Sequence, residues 1–161
     1  AYVEKLKALY VNDESNDVIL DGLNNMYSSL KMEKEQLELL DGAIAKNPNN
    51  FVALADKGMY YISKNDADKA IECLNKALAV QPDNVVVMTY LGACLNVKAS
   101  NLSKEEGKAV YEESIKHLDK AKELDPNKEK ANWGYNRFQA YYGLYGPNDP
   151  KTKQAEADSQ N

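Results

Sequence analysis

"ALAVQPDN", residues 77–84, is a run of good helix formers that stops at Pro-Asp-Asn. The same event occurs at "AIAKNPNN" (43–50) and at "AKELDPNK" (121–128), where an opening Ala is again followed five residues later by Pro. Pro82 lies 34 residues after Pro48, and Pro126 lies 44 residues after Pro82. Proline ends a helix because it lacks an N–H and its ring clashes with the preceding turn. The Asn or Asp after it offers a short side-chain oxygen to cap the next helix. Self-similarity at a fixed period of this length marks a chain built of helical repeats.

Each interval between these stops holds two apolar stripes at helical spacing. Leu20, Leu23 and Tyr27 form the first stripe of residues 17–50, and Leu37, Leu40, Ala43 and Ile44 form the second. In 51–84 the corresponding sets are Leu54, Gly58 and Tyr61, then Ala70, Leu74, Ala77 and Leu78. In 85–128 they are Met88, Leu91, Gly92 and Leu95, then Ile115, Leu118 and Ala121. Turn-forming stretches, "SLKMEK" and "SKNDAD", separate the halves, and Asp66 is placed to cap a helix. Every unit is expected to be a pair of antiparallel helices.

With this period and these positions the sequence resembles the tetratricopeptide repeat family. Residues 51–84 match best, through Leu54, Gly58, Tyr61, Ala70, Leu74, Ala77 and Pro82, with Lys57 where Leu is usual. The third unit keeps Leu91, Gly92, Leu118, Ala121 and Pro126 but has Ser114 for Ala. The first keeps Leu23, Tyr27, Ala43 and Pro48, while Asn24 and Gln36 replace small residues. The resemblance implies an all-α fold, a right-handed α-solenoid of tetratricopeptide-like helix pairs. The expected organisation is an N-terminal helix in 1–16, repeats at 17–50, 51–84 and 85–128, and an aromatic C-terminal cap and tail at 129–161.

The edges depart from the repeat. The N-terminal "YVEKLKALYV" (2–11) is expected to be an amphipathic helix with Tyr2, Leu6, Leu9 and Tyr10 on one side. It is either the second helix of an earlier repeat or a plain cap. The chain opens on Ala1 rather than Met, which suits an upstream segment having been removed. The third unit is ten residues too long, near "VKASNLSKEEGKAVYEE", and Ser103-Lys-Glu-Glu106 has the form of a capping box. The second helix of this unit is expected to start early, at about Lys104, and run to Leu124. That makes it a tolerated insertion or, alternatively, a spur that contacts a partner. Tyr135, Phe138, Tyr142 and Tyr145 step along one helix face, expected to close the core at the end of the stack rather than to stack a ligand. Gly146 and Pro147 stop that helix, Asp149-Pro150 opens a short last one, and "DSQN" at the terminus is expected to be mobile.

Composition narrows the function. The 161 residues carry a net charge of −5, which disfavours nucleic-acid binding through a basic footprint. No apolar run reaches the length of a membrane span. There is no phosphate-binding glycine loop and no HExxH, and Cys73 and Cys94 have no zinc-type spacing, so neither metal nor cofactor is expected. The single histidine, His117, shares its register with Cys73 and Leu39, which reads as a packing or surface position. The chain is therefore expected not to be an enzyme. The compartment, cytoplasm or bacterial periplasm and envelope, is left open.

In the resembled family the first helices of the pairs line a concave groove that holds a peptide or partner helix. Carried over by register, that groove is lined by Asn25, Val52, Ala55, Met59, Ile62, Val86, Tyr90 and Ala93, with Trp133 and Arg137 at its C-terminal end. One subset of the family grips the C-terminal carboxylate of chaperones with cationic and amide groups. At the matching positions this chain has Asp21, Asn25, Asp56, Val86 and Tyr90, of which only Asn25 agrees, so such a ligand is not expected. The expected function is a protein-interaction scaffold; the alternative is a self-associating or structural segment of a longer repeat protein.

Overall fold

Asn50 and Asn84, each two residues past a repeat-ending proline, cap the helices that follow. Their side chains accept hydrogen bonds from the backbone of Ala53 and Val87, both at 3.0 Å. The computed structural model describes residues 2–161; Ala1, the start of the N-terminal segment, lies outside the described residues. The described residues form nine α-helices and no strand. These are α1 (Tyr2–Asn12), α2 (Asp17–Ser29), α3 (Glu33–Lys46), α4 (Phe51–Ser63), α5 (Ala67–Val80), α6 (Val85–Ser100), α7 (Lys104–Leu124), α8 (Gly134–Tyr145) and α9 (Pro150–Gln160). Consecutive helices pack on one another, so the fold is an all-α stack of helix pairs.

What sets the spacing within a pair is a small residue in the first helix. A Cβ on Gly58 would lie 2.8 Å from Leu74 Cδ2, and one on Gly92 only 2.6 Å from Leu118 Cγ. Leu74 and Leu118, both fully buried, thus rest on bare backbone. Opposite Gly92 stands Ser114, whose hydroxyl is 3.0 Å from the Gly92 carbonyl and 2.7 Å from Asn96 Oδ1, so the buried polar atom is satisfied. In the first pair the same two register positions hold Asn24 and Gln36. Both are buried, and Gln36 Nε2 donates to Asn24 Oδ1 at 3.0 Å. A hydrogen bond replaces the glycine notch there, and α2 and α3 pack less closely than the later pairs.

The ten extra residues of the third unit are all helix. α6 has 16 residues to α4's 13, and α7 has 21 to α5's 14, while the turns 64–66 and 101–103 are equally long. Ser103 and Glu106 make the expected capping box. The second helix spans Lys104–Leu124, the expected range, and the first helix is longer as well. Both helices lengthen, because Gly107 lets α7 approach the last turn of α6: a Cβ there would be 2.8 Å from the Ala99 carbonyl oxygen. The tip of the extension, residues 101–106, is exposed, while Tyr111 at its base lies against Gly143 of α8.

Both edges need further correction. In α1 it is Val3, Leu6 and Tyr10 that pack toward Leu23 and Tyr27, while Tyr2 and Leu9 are 62% and 53% exposed. In α8 the buried residues are Gly134, Arg137, Ala140 and Tyr141, while Tyr135 and Tyr142 are 60% and 49% exposed. The aromatic stripe therefore does not close the core. The terminus expected to be mobile is held instead: α9 runs to Gln160, and Asp158 pairs with Lys122 at 2.8 Å and with Arg137 at 3.0 Å.

The glycine notch can be tested against a free glycine. Gly92→Ala should destabilise by about 1–3 kcal/mol, because Leu118 must leave its rotamer or the helices must part. Gly42→Ala, in the middle of α3 with nothing within 4 Å of a new Cβ, should stabilise by about 0.5–1 kcal/mol through helix propensity. Urea unfolding of both variants decides the matter, and equal effects would refute the notch.

Candidate functional site

The first helices of the pairs present α2, α4 and α6 residues on one face. Met59, Val86 and Tyr90 are exposed there, while Val52, Ala55, Ile62 and Ala93 are half-buried. Their inner neighbours on each helix fix this orientation: Ala53 and Leu54 on α4, and Val87, Met88 and Leu91 on α6, are core. Ile62, Tyr90 and Ala93 converge, with Ala67, Cys94 and Val97, on a pocket of ≈ 290 Å³ between α4 and α6. Asn25 is exposed and donates to Asp21 Oδ2 at 3.2 Å. Of the residues assigned to the groove by register, these lie where the first helices put them.

Trp133 and Arg137 do not. Trp133 is 2% exposed, at the start of α8, and its indole N–H donates to the Asp125 carbonyl at 2.7 Å. Arg137 is 8% exposed and bridges Asp119 of α7, at 2.8 Å, and Asp158 of α9. The cation expected at the C-terminal end of the groove is thus spent on fastening the last three helices. In its place stands an aromatic pocket of ≈ 490 Å³, lined by Tyr111, Tyr135, Phe138 and Tyr142 with Asn96, Asn136 and Gln139. It shares the lining residues Ala93 and Val97 with the smaller pocket. Asn96 joins its walls by donating to the Asn136 carbonyl at 2.8 Å.

At the opposite end, Asp56 of α4 stands beside Asp21 of α2. Asp56 Oδ2 is buried and receives no donor from the chain. Burial, and then the neighbouring Asp21 carboxylate, push Asp56 up to about 8. Asp56 is therefore held largely protonated at neutral pH, beside the Asp21 carboxylate. Register reading named both positions but not their proximity.

His117 is half-buried, with Glu113 4.0 Å away, and burial holds it below its ordinary range. Cys73 and Cys94 are free thiols, each pushed up by burial. Among the described residues no group of three or more His, Cys, Asp or Glu is placed to hold a metal, and no helix is long and apolar enough to cross a membrane.

Helix pairs in tandem, punctuated by proline and notched by glycine in the second and third, define a helical-repeat protein. Residues 52–84 match the family described as tetratricopeptide repeat, so the second pair is such a repeat. The chain resembles the crystal structure of MamA with a TM-score of 0.75 at 14% identity, over 98% of this chain and 84% of that one. A MamA MSR-1 structure follows it with a TM-score of 0.67 at 23% identity, covering 98% of this chain and 85% of that one. Another MamA structure is 26% identical, with a TM-score of 0.56 over 80% of this chain and 64% of that one. No curated protein matches the chain in sequence. The fold is that of the MamA structures, and its second pair matches the tetratricopeptide repeat.

The Asp56 proton has a consequence for stability. Asp56 keeps it in the native chain up to about pH 8 and loses it in the unfolded chain near about pH 4. Between those values the native state binds more protons than the unfolded, so stability falls as pH rises. Asp56→Asn should melt higher than the parent by about 2–4 °C near the upper limit, with the gap closing toward the lower. Thermal melts followed by circular dichroism across this range check it; a gap independent of pH would exclude a shared proton.

Proposed function

We propose that this protein is a non-enzymatic interaction scaffold whose concave face holds a peptide or helix of another protein. One observation carries the reading: Ile62, Tyr90, Ala93 and Val97 join into a single apolar pocket on the face formed by the first helices. Exposed Met59 and Val86 extend that surface along α4 and α6. A rigid stack offers these residues without first ordering a loop, which lowers the entropic cost of association. An apolar face with polar edges suits the anchors of an amphipathic helix or extended peptide.

A second reading, self-association, is favoured by α1, where Tyr2, Leu9 and Val11 are exposed on a terminal helix. Light scattering of the parent and of Leu9→Lys/Val11→Lys separates the two. A larger particle that the substitution dissociates supports assembly, and a monomer in both excludes it.

The groove itself is tested by Met59→Lys/Tyr90→Lys, two exposed positions that leave the core untouched. Affinity capture from native extract should recover a partner on the parent and lose at least about nine-tenths of it on the variant, since buried aromatic anchors cost ~2 kcal/mol or more. Circular dichroism must show both folded. Equal capture by the two would move the contact off this face.

A further inference from the structure

The groove is not uniformly apolar. At the α2–α4 end its surface turns acidic, and nothing basic offsets it. Asp21 and Asp56 face each other there, and Asn25 supplies Asp21 with its one side-chain donor. Lys57, next to Asp56 in sequence, is turned to Asp41 of α3 at 2.7 Å. Lys64, at the end of α4, is engaged by Glu33. The α6 residues of this face, Val86, Tyr90 and Ala93, carry no charge. Asp56 Oδ2 is out of contact with water and has no donor within the chain. A buried carboxylate oxygen of that kind calls for a proton or a cation. The groove therefore has polarity along its length, from a carboxylate pair through Met59 to Ile62 and Tyr90.

We propose that the segment bound in this groove carries a Lys or Arg side chain beside apolar residues, the cation seating on Asp21 and Asp56 and the apolar side chains on Ile62 and Tyr90. This rests on the groove reading above and gives it a partner chemistry. The exchange balances: the neutral Asp56 carboxyl releases its proton to solvent as the ammonium or guanidinium arrives, leaving two carboxylates around one cation. A guanidinium suits the site best, since its planar fork meets two carboxylate oxygens at once. Because a proton leaves as the ligand binds, affinity rises with pH while Asp56 is protonated, by at most about tenfold per unit.

The probe is a displayed library of random short peptides. It is selected in parallel on the parent, on Asp21→Asn/Asp56→Asn and on Met59→Lys/Tyr90→Lys, each first shown by thermal melting to be folded. Peptides that bind the parent and not the Met59→Lys/Tyr90→Lys variant should carry Lys or Arg within a helical turn of an apolar pair. For these peptides, Asp21→Asn/Asp56→Asn should weaken binding by at least about tenfold. Binding to the parent should strengthen from about pH 6 to about pH 8, and that pH dependence should vanish with the two carboxylates. Groove-dependent peptides that show no preference for Lys or Arg, or bind the Asn variant equally well, would overturn this inference and leave the groove standing. A library with no groove-dependent peptide would overturn both.

Discussion

The distance between the two helices of a pair hangs on one register position. Where it is glycine, as at Gly58 and Gly92, a leucine of the partner helix settles onto the backbone. The two helices then share a buried seam with no room for a further carbon. Each such contact is local to its pair, and the pairs touch only their neighbours, so the stack inherits its shape from a few repeated notches. Asn24 breaks the pattern without leaving a fault, because Gln36 stands opposite and supplies the donor its carbonyl needs. A polar pair of this kind specifies one partner geometry, whereas a leucine in a notch tolerates sliding. The first pair exchanges close packing for a directed bond.

The long third unit changes what the end of the stack must do. Lengthening both helices of the pair leaves a hairpin tip that its predecessor, α4–α5, is too short to cover. α8 packs at the base of that tip, with Tyr111 seated on Gly143 and Asn96 bound to the Asn136 backbone, while residues 101–106 stay exposed. To make those contacts α8 turns Arg137 and Tyr141 toward α7 and α9, and its tyrosines are left facing outward. The aromatic pocket lies between α6, α7 and α8 below the exposed tip, and it falls where the groove ends.

Periodicity made the stack readable. Pro48, Pro82 and the capping Asn50 and Asn84 speak for themselves in one dimension, and so do the leucines at three- and four-residue steps. Beyond Pro126 there is no repeat to supply a register, and apolar spacing then points the wrong way. Tyrosines at helical spacing look like a core face, and an arginine between them looks like surface. Arg137 is inside because Asp119 and Asp158, from two other helices, meet it there. No local reading of α8 contains either aspartate. Trp133 is hidden for a like reason: its indole N–H finds the Asp125 carbonyl across a loop whose path the repeat does not dictate. The Asp21–Asp56 pair escapes a repeat alignment as well. Its members are 35 residues apart, one off the 34-residue period, so alignment sets Asp21 over Ala55 rather than over Asp56.

That offset matters to how an acidic groove can fold at all. Two bare carboxylates half-withdrawn from water would oppose folding with no cation present. Holding a proton between them removes one charge and lets the empty groove form as a rigid face. In the proposed complex the same proton competes with the arriving cation, and the vacant pair carries one negative charge rather than two. A lone carboxylate in the same place would offer a cation one charge at most, and an amide none. The proton shared between Asp21 and Asp56 holds the vacant pair at the single charge of a lone carboxylate and keeps a second in reserve. It yields to a cation delivered with enough apolar contact on Ile62 and Tyr90 to offset its release.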